Sequence, residues 1–87
     1  MDVVLVRGGW SCEAGYIQWA YVAKAKPPDE SRKGRFVGAV NVYEMSRIGE
    51  RLFEPPTSRE NSPTPIVEKW IKDNGHNLIT NVTMRTD

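Results

Sequence analysis

Cysteine and histidine are almost missing from this chain: Cys12 and His76 are single copies. One cysteine excludes an intrachain disulfide and makes a reducing compartment, the cytoplasm, the expected location. One cysteine and one histidine also fall short of the three or four ligands that a zinc site needs, so neither a metal nor a cofactor is expected. Long apolar runs are lacking too. No stretch approaches the roughly 18 residues of a membrane helix. The N-terminal segment has no basic region followed by a long apolar one, so neither a membrane association nor a signal peptide is expected. An excess of one charge is absent, with twelve Lys and Arg against eleven Asp and Glu. Net charge therefore does not argue for nucleic acid, a membrane surface or an acidic substrate. There is no Gly-x-Ser-x-Gly elbow, and Gly8-Gly9 is not followed by the Lys and Ser/Thr of a phosphate-binding loop.

At 87 residues the chain makes one domain, spanning 1–87. A chain this short buries a smaller fraction of its surface than a larger one, and oligomerisation is a common remedy.

Two β-rich runs, Tyr16–Lys26 and Arg35–Met45, flank a polar segment holding Pro27, Pro28, Asp29 and Gly34. Val, Ile, Tyr, Trp and Phe suit a pleated surface, and the intervening residues suit a turn. The pattern predicts a long hairpin with Lys26 opposite Arg35. Alternation then places Ile17, Trp19, Tyr21, Ala23 and Ala25 beside Phe36, Gly38, Val40 and Val42 on an apolar core face. The other face carries Tyr16, Gln18, Ala20, Val22 and Lys24 beside Val37, Ala39, Asn41, Tyr43 and Met45. Its apolar residues would form a contiguous patch suited to a partner.

Asp2–Arg7 reads as a first, central strand that stops at Gly8-Gly9, the glycines serving a tight turn. Trp10–Gly15 is then a connection. Ser46–Phe53 is expected as a short helical turn, capped by Ser46 with Ile48 and Leu52 one turn apart. Residues 54–63, rich in proline and polar groups, form a loop. The clearest helix is Pro65–Asn74: Thr64 caps it, Pro65 fits its first position, and Gly75 ends it. Ile66, Val67, Trp70 and Ile71 make its apolar stripe. Glu68 with Lys72 and Lys69 with Asp73 pair on the wet side. Leu78–Arg85 alternates as a last, edge strand. The expected fold is α+β, a small antiparallel sheet of about four strands in the order β-β-β-α-β. One main amphipathic helix packs on one face. Nothing else covers the second face, and this predicts a homo-oligomer or another partner.

The leading function is a small non-enzymatic binding protein. Tyr16, Gln18, Asn41, Tyr43 and Met45 would contact a protein or small-molecule partner, rings giving area and amides orienting the ligand. The loop around Arg47, Arg51 and Arg59 is a second recognition surface. One alternative is an enzyme whose site is shared between subunits, using Glu13, Arg7 and His76. The other is a nucleic-acid module with Arg32, Lys33 and Arg35 at the hairpin loop, Lys24 and Lys26 beside them, and Tyr16 and Tyr43 stacking on bases. Asp29 and Glu30 in the same loop weigh against it. A Cys12–His76 nucleophilic pair requires that the fold bring the two together.

Overall fold

The computed structural model describes residues 1–13, 15–37 and 40–85; the side chains of Val37 and Arg85 lie outside that description. The fold is α+β, with a four-stranded sheet and one main helix. Strand β1 (Asp2–Cys12) and strand β2 (Gly15–Ala25) form the long hairpin of the molecule. After them come the short strands β3 (Phe36–Val37) and β4 (Val40–Asn41), the one-turn helix α1 (Val42–Met45) and strand β5 (Ile48–Phe53). Helix α2 (Thr64–Asp73) and strand β6 (Asn77–Arg85) complete the chain. The main sheet runs β5-β2-β1-β6. It is mixed, not wholly antiparallel: β2 pairs antiparallel with β1 and β5, whereas β6 pairs parallel with β1. The parallel contact follows from α2, which carries the chain across the sheet from one edge strand to the other.

β1 is central, as its unbroken apolar run predicts, and Val3, Val4, Leu5 and Val6 are all fully buried. Alternation sends them to two clusters. Val3 and Leu5 join Ala20, Val22, Val67 and Ile71 under α2, with Phe53, Trp70 and Leu78 at the margin. Val4 and Val6 join Tyr21, Ala23, Val40 and Val82 on the opposite face, flanked by Trp19, Met45, Ile48 and Met84.

The hairpin expected between Tyr16–Lys26 and Arg35–Met45 does not form. Ser11 instead pairs with Tyr16 and Val3 with Lys24, so β2 turns back onto β1. The backbone N–H of Lys26 bonds to Arg47, not Arg35. Gly8-Gly9 lies inside a strand and does not end it, and the strand continues through the expected connection to Cys12. Ser46–Phe53 is mostly strand β5, not a helical turn. Its pairing with Val22, Ala23 and Ala25 is interrupted by register shifts, and its Ile48–Leu52 spacing mimics a helical repeat.

The two faces are consequently exchanged. α2 covers the Ala20/Val22 face that the alternation assigned to a partner. The Trp19/Tyr21/Ala23 face is covered instead by residues of β4 and α1. Within this second cover, β3 pairs with β4, and Asn41 Oδ1 accepts from Tyr43 N–H at 2.7 Å to cap α1. Gly38 and Ala39, expected on this hairpin, lie outside the described residues.

Helix α2 forms close to where its caps and period place it. The backbone is already helical at Pro63, and Ser62 Oγ, not Thr64, accepts a cap bond, from Thr64 N–H at 3.3 Å. At the other end Gly75 has φ +68, and His76 and Gly75 N–H donate to Ile71 and Lys72 carbonyls at 3.0 and 3.1 Å. That pair of bonds is a Schellman ending, which glycine accepts without a Cβ penalty. Trp70 stacks on Phe53 with centroids 5.2 Å apart, and His76 packs on the same indole. Lys69 pairs with Asp73 at 2.7 Å. No ion pair joins Glu68 to Lys72 among the described residues, and Ile66 faces solvent.

Candidate functional site

The two glycines in β1 shape the site. On one face, a Cβ at Gly8 would overlap the Met84 carbonyl oxygen and the Trp19 indole. On the other face, a Cβ at Gly9 would fall 2.6 Å from the Tyr16 hydroxyl oxygen and 2.6 Å from the Ile17 carbonyl oxygen. Such approaches are too close for any side chain, so the pair admits an aromatic ring on each side of the strand. Trp19 also stacks on Tyr21 (centroids 5.8 Å, planes 11° apart), and the Arg51 guanidinium lies 4.0 Å over the Tyr21 ring.

On the helix side, the loop 54–63 and β1 near Arg7 enclose a cleft. Gln18 exchanges two backbone bonds with Ser58, at 2.8 and 3.0 Å, which docks the loop on the edge of β2. Ser58 Oγ then accepts from Glu60 and Asn61 N–H, turning the chain toward Ser62 and the first turn of α2. The resulting cleft has a volume of about 160 Å³. Arg7 from β1, Tyr16 and Gln18 from β2, Thr83 from β6, Ser62 from the loop and Thr64 from α2 line it, with Gly8, Trp19 and Met84.

The lining is polar and carries one charge. Arg7 Nε donates a long 3.4 Å bond to Thr83 Oγ1, and Arg7 belongs to none of the four ion pairs found among the described residues. No carboxylate lines the cleft among the described residues. Thr64 is only 8 % exposed, and its hydroxyl is the single buried side-chain polar atom without a partner among the described residues. An unpaired buried hydroxyl costs about 1–3 kcal/mol.

Of the five residues expected to meet a partner together, the fold brings only Tyr16 and Gln18 to the cleft. Asn41 is occupied in capping α1. Tyr43 lies in α1, and Met45 packs against the cluster on the other face of the sheet. The three arginines of the expected recognition loop are also dispersed. Arg47 Nε donates to the Lys26 carbonyl at 3.4 Å, Arg51 covers Tyr21 and pairs with Glu54, and Arg59 is exposed beside Ser58. Ser58 bonds Gln18, whereas Arg47 bonds Lys26. Eight residues of extended chain separate these positions by roughly 26 Å.

Glu13, Arg7 and His76 do not converge within one chain. Glu13 follows the end of β1, and His76 sits by Met1, each about 20 Å along the strand from Arg7 at the usual rise per residue. Cys12 and His76 are separated in the same way. Cys12 Sγ donates to the Gly15 carbonyl instead. At the basic loop, Arg32 is paired with Asp29 and Lys24 with Glu50, which reduces the local positive charge. No group of three or more His, Cys, Asp or Glu gathers as a metal site among the described residues. None of their helices is long and apolar enough to cross a membrane.

Ser62, Thr64 and Thr83 were not legible as site residues, because Thr64 reads as a cap and the other two as loop and edge-strand polarity. The available signal was Gly8-Gly9: paired glycines within an apolar strand mark close approach as well as a turn. No family model matches the chain, and neither does any curated protein or solved structure.

Proposed function

We propose that this chain is a small non-enzymatic binding protein. It seats a small polar ligand, or the polar end of a larger one, in the cleft at the start of α2. The observation that carries this reading is convergence. Three strands, one loop and one helix contribute polar side chains to a single concave site that also reaches Gly8. At about 160 Å³ the cleft is smaller than the roughly 300–1,000 Å³ of pockets for drug-sized ligands, so it suits a group and not a whole cofactor. Tyr16 forms a wall with its ring, and Gln18 is held by the Ser58 bridge.

The test is a fragment screen of the ¹⁵N-labelled protein by NMR, repeated with Tyr16→Ala. Tyr16 is half exposed, so its loss leaves the core intact. Shifts clustered at Arg7, Gly8, Gly9, Gln18 and Thr64, weakened in the variant, are expected. A screen in which no fragment class moves those amides overturns the reading.

Self-association is a second reading. Phe36 is 71 % exposed on the outer cover, and Trp10 is exposed near the hairpin end, leaving apolar surface for another copy of the chain. Light scattering over a range of concentrations, with Phe36→Ser alongside, is the check; a monomer at every concentration removes it. The single exposed thiol of Cys12 suits a reducing, cytoplasmic setting.

A further inference from the structure

We infer that the ligand of this cleft is an oxyanion, a phosphate or carboxylate group held by Arg7 and the start of α2. The inference rests on the binding reading above and names its ligand class.

Three independent features point the same way. Among the described residues Arg7 is the only charged side chain lining the cleft; it is solvent-exposed, and neither an ion pair nor a lining carboxylate of those residues answers it. Its side-chain bond to Thr83 is long and uses only Nε, leaving the remaining guanidinium donors for a planar or tetrahedral oxyanion. Thr64 supplies the second feature. It is more than nine-tenths buried, it lines the cleft, and its hydroxyl has no partner among the described residues. A ligand oxygen accepting from Thr64 Oγ1 would satisfy that hydroxyl. The third is the site's position at the positive end of a ten-residue helix, where negative charge is favoured. Ser62 and Tyr16 add hydroxyls around the same space. A cation would be repelled by Arg7, and a neutral group would gain nothing from its charge.

The experiment titrates the full ¹⁵N-labelled chain at constant ionic strength with four small probes: inorganic phosphate, acetate, acetamide and methylammonium. Phosphate or acetate is expected to shift the amides of Arg7, Gly8, Gly9 and Thr64 saturably, and the tighter of the two identifies the source. Arg7→Gln is expected to weaken that binding roughly tenfold to a hundredfold. Thr64→Val weakens it too, while Thr64→Ser retains it, a distinction that a merely structural Thr64 would not produce. Unchanged affinity in Arg7→Gln overturns the assignment. Occupation of the cleft by acetamide or methylammonium but by neither anion overturns the oxyanion and leaves the binding reading standing. No response at the cleft to any of the four probes, nor to the wider fragment screen, overturns both.

Discussion

The two faces of the sheet are covered by different kinds of structure. On one side lies a single ten-residue helix, begun by Ser62 and Pro63, ended by a Schellman motif, and pressed on Leu5 and Val22. On the other lie two two-residue strands and a four-residue helix. Their internal bonds are local, and the described contact with the core runs mainly through Val40 and Met45. The helix carries its own instructions in a 3.6-residue period and two caps. The short elements have no such repeat, and each is below the length at which helix or hairpin is stable alone. A cover of the first kind should yield only with the whole fold, and a cover of the second kind should open by itself.

The largest expected effect tests this directly. Leu5→Ala beneath α2 should cost about 3 kcal/mol by chemical denaturation, the usual range for a buried leucine. Val40→Ala should cost only about 1–2 kcal/mol. In native-state hydrogen exchange it should release the Tyr43 and Ser46 amides while Ile71 stays protected. Equal global losses, with no local release, would break the comparison. Next comes the strand between the covers. Gly8→Ala should lose about 2 kcal/mol by overpacking, because the new methyl meets a backbone carbonyl as well as the Trp19 ring. A neutral result in thermal unfolding would mean that the Trp19 side is loosely held.

A smaller change of opposite sign is expected where the helix cover ends. Thr64→Val removes an unpartnered buried hydroxyl and should stabilise the ligand-free protein by about 1 kcal/mol. A loss of stability in urea titration would show that the hydroxyl has a partner in solution. The smallest effect belongs to Asp29, at the entry to the second cover. The Ser31 hydroxyl, bonded at 2.7 Å, holds its carboxyl below the ordinary value, with the Ser31 N–H and Arg32 assisting. A lowered folded-state pKa means that the contribution is present at neutral pH and lost as pH falls through the lowered value. The Ser31 amide should therefore shift in acid before the core unfolds. An amide that moves only with global unfolding would detach this turn from Asp29.

The same contrast explains which parts of the chain were legible. The helix, its glycine stop, the buried first strand and the presence of a last strand follow from local pattern, but a bulge breaks that strand's alternation and puts Leu78 on the helix side and Val82 with Met84 on the other. Strand partners do not. Tyr16–Lys26 pairs with what precedes it, through a connection at 13–14 that contains neither Asn-Gly nor Asp-Gly, while the prolines near Pro27 imitate a hairpin turn. Once the partner is misplaced, β2 keeps its alternation but its two faces exchange roles, and the site moves with them. Tyr16 and Gln18 reach a cleft because their face meets α2 and the docked loop. Asn41, Tyr43 and Met45 belong to the second cover. Arg7 was visible only as a candidate for shared catalysis. Its present surroundings depend on Ser62 and Thr64, more than fifty positions away, brought over by a bridge at Ser58 that no local pattern announces.

The parallel contact between β1 and β6 has a consequence for how the molecule is made. β1 is the earliest of the described strands and the centre of the sheet, yet one of its two neighbours is the latest, with Asp2 facing Asn77. While a ribosome is still adding residues 77–85, the hairpin of β1 and β2 can already exist. The backbone edge of its Asp2–Gly9 stretch, which β6 later pairs, would then be open between two valine-rich faces. Such an edge is a template for pairing with another nascent chain, and closing it late makes folding slow for a molecule of this size. Production of the protein in quantity should therefore be limited by crowding between unfinished chains sooner than by the stability of finished ones.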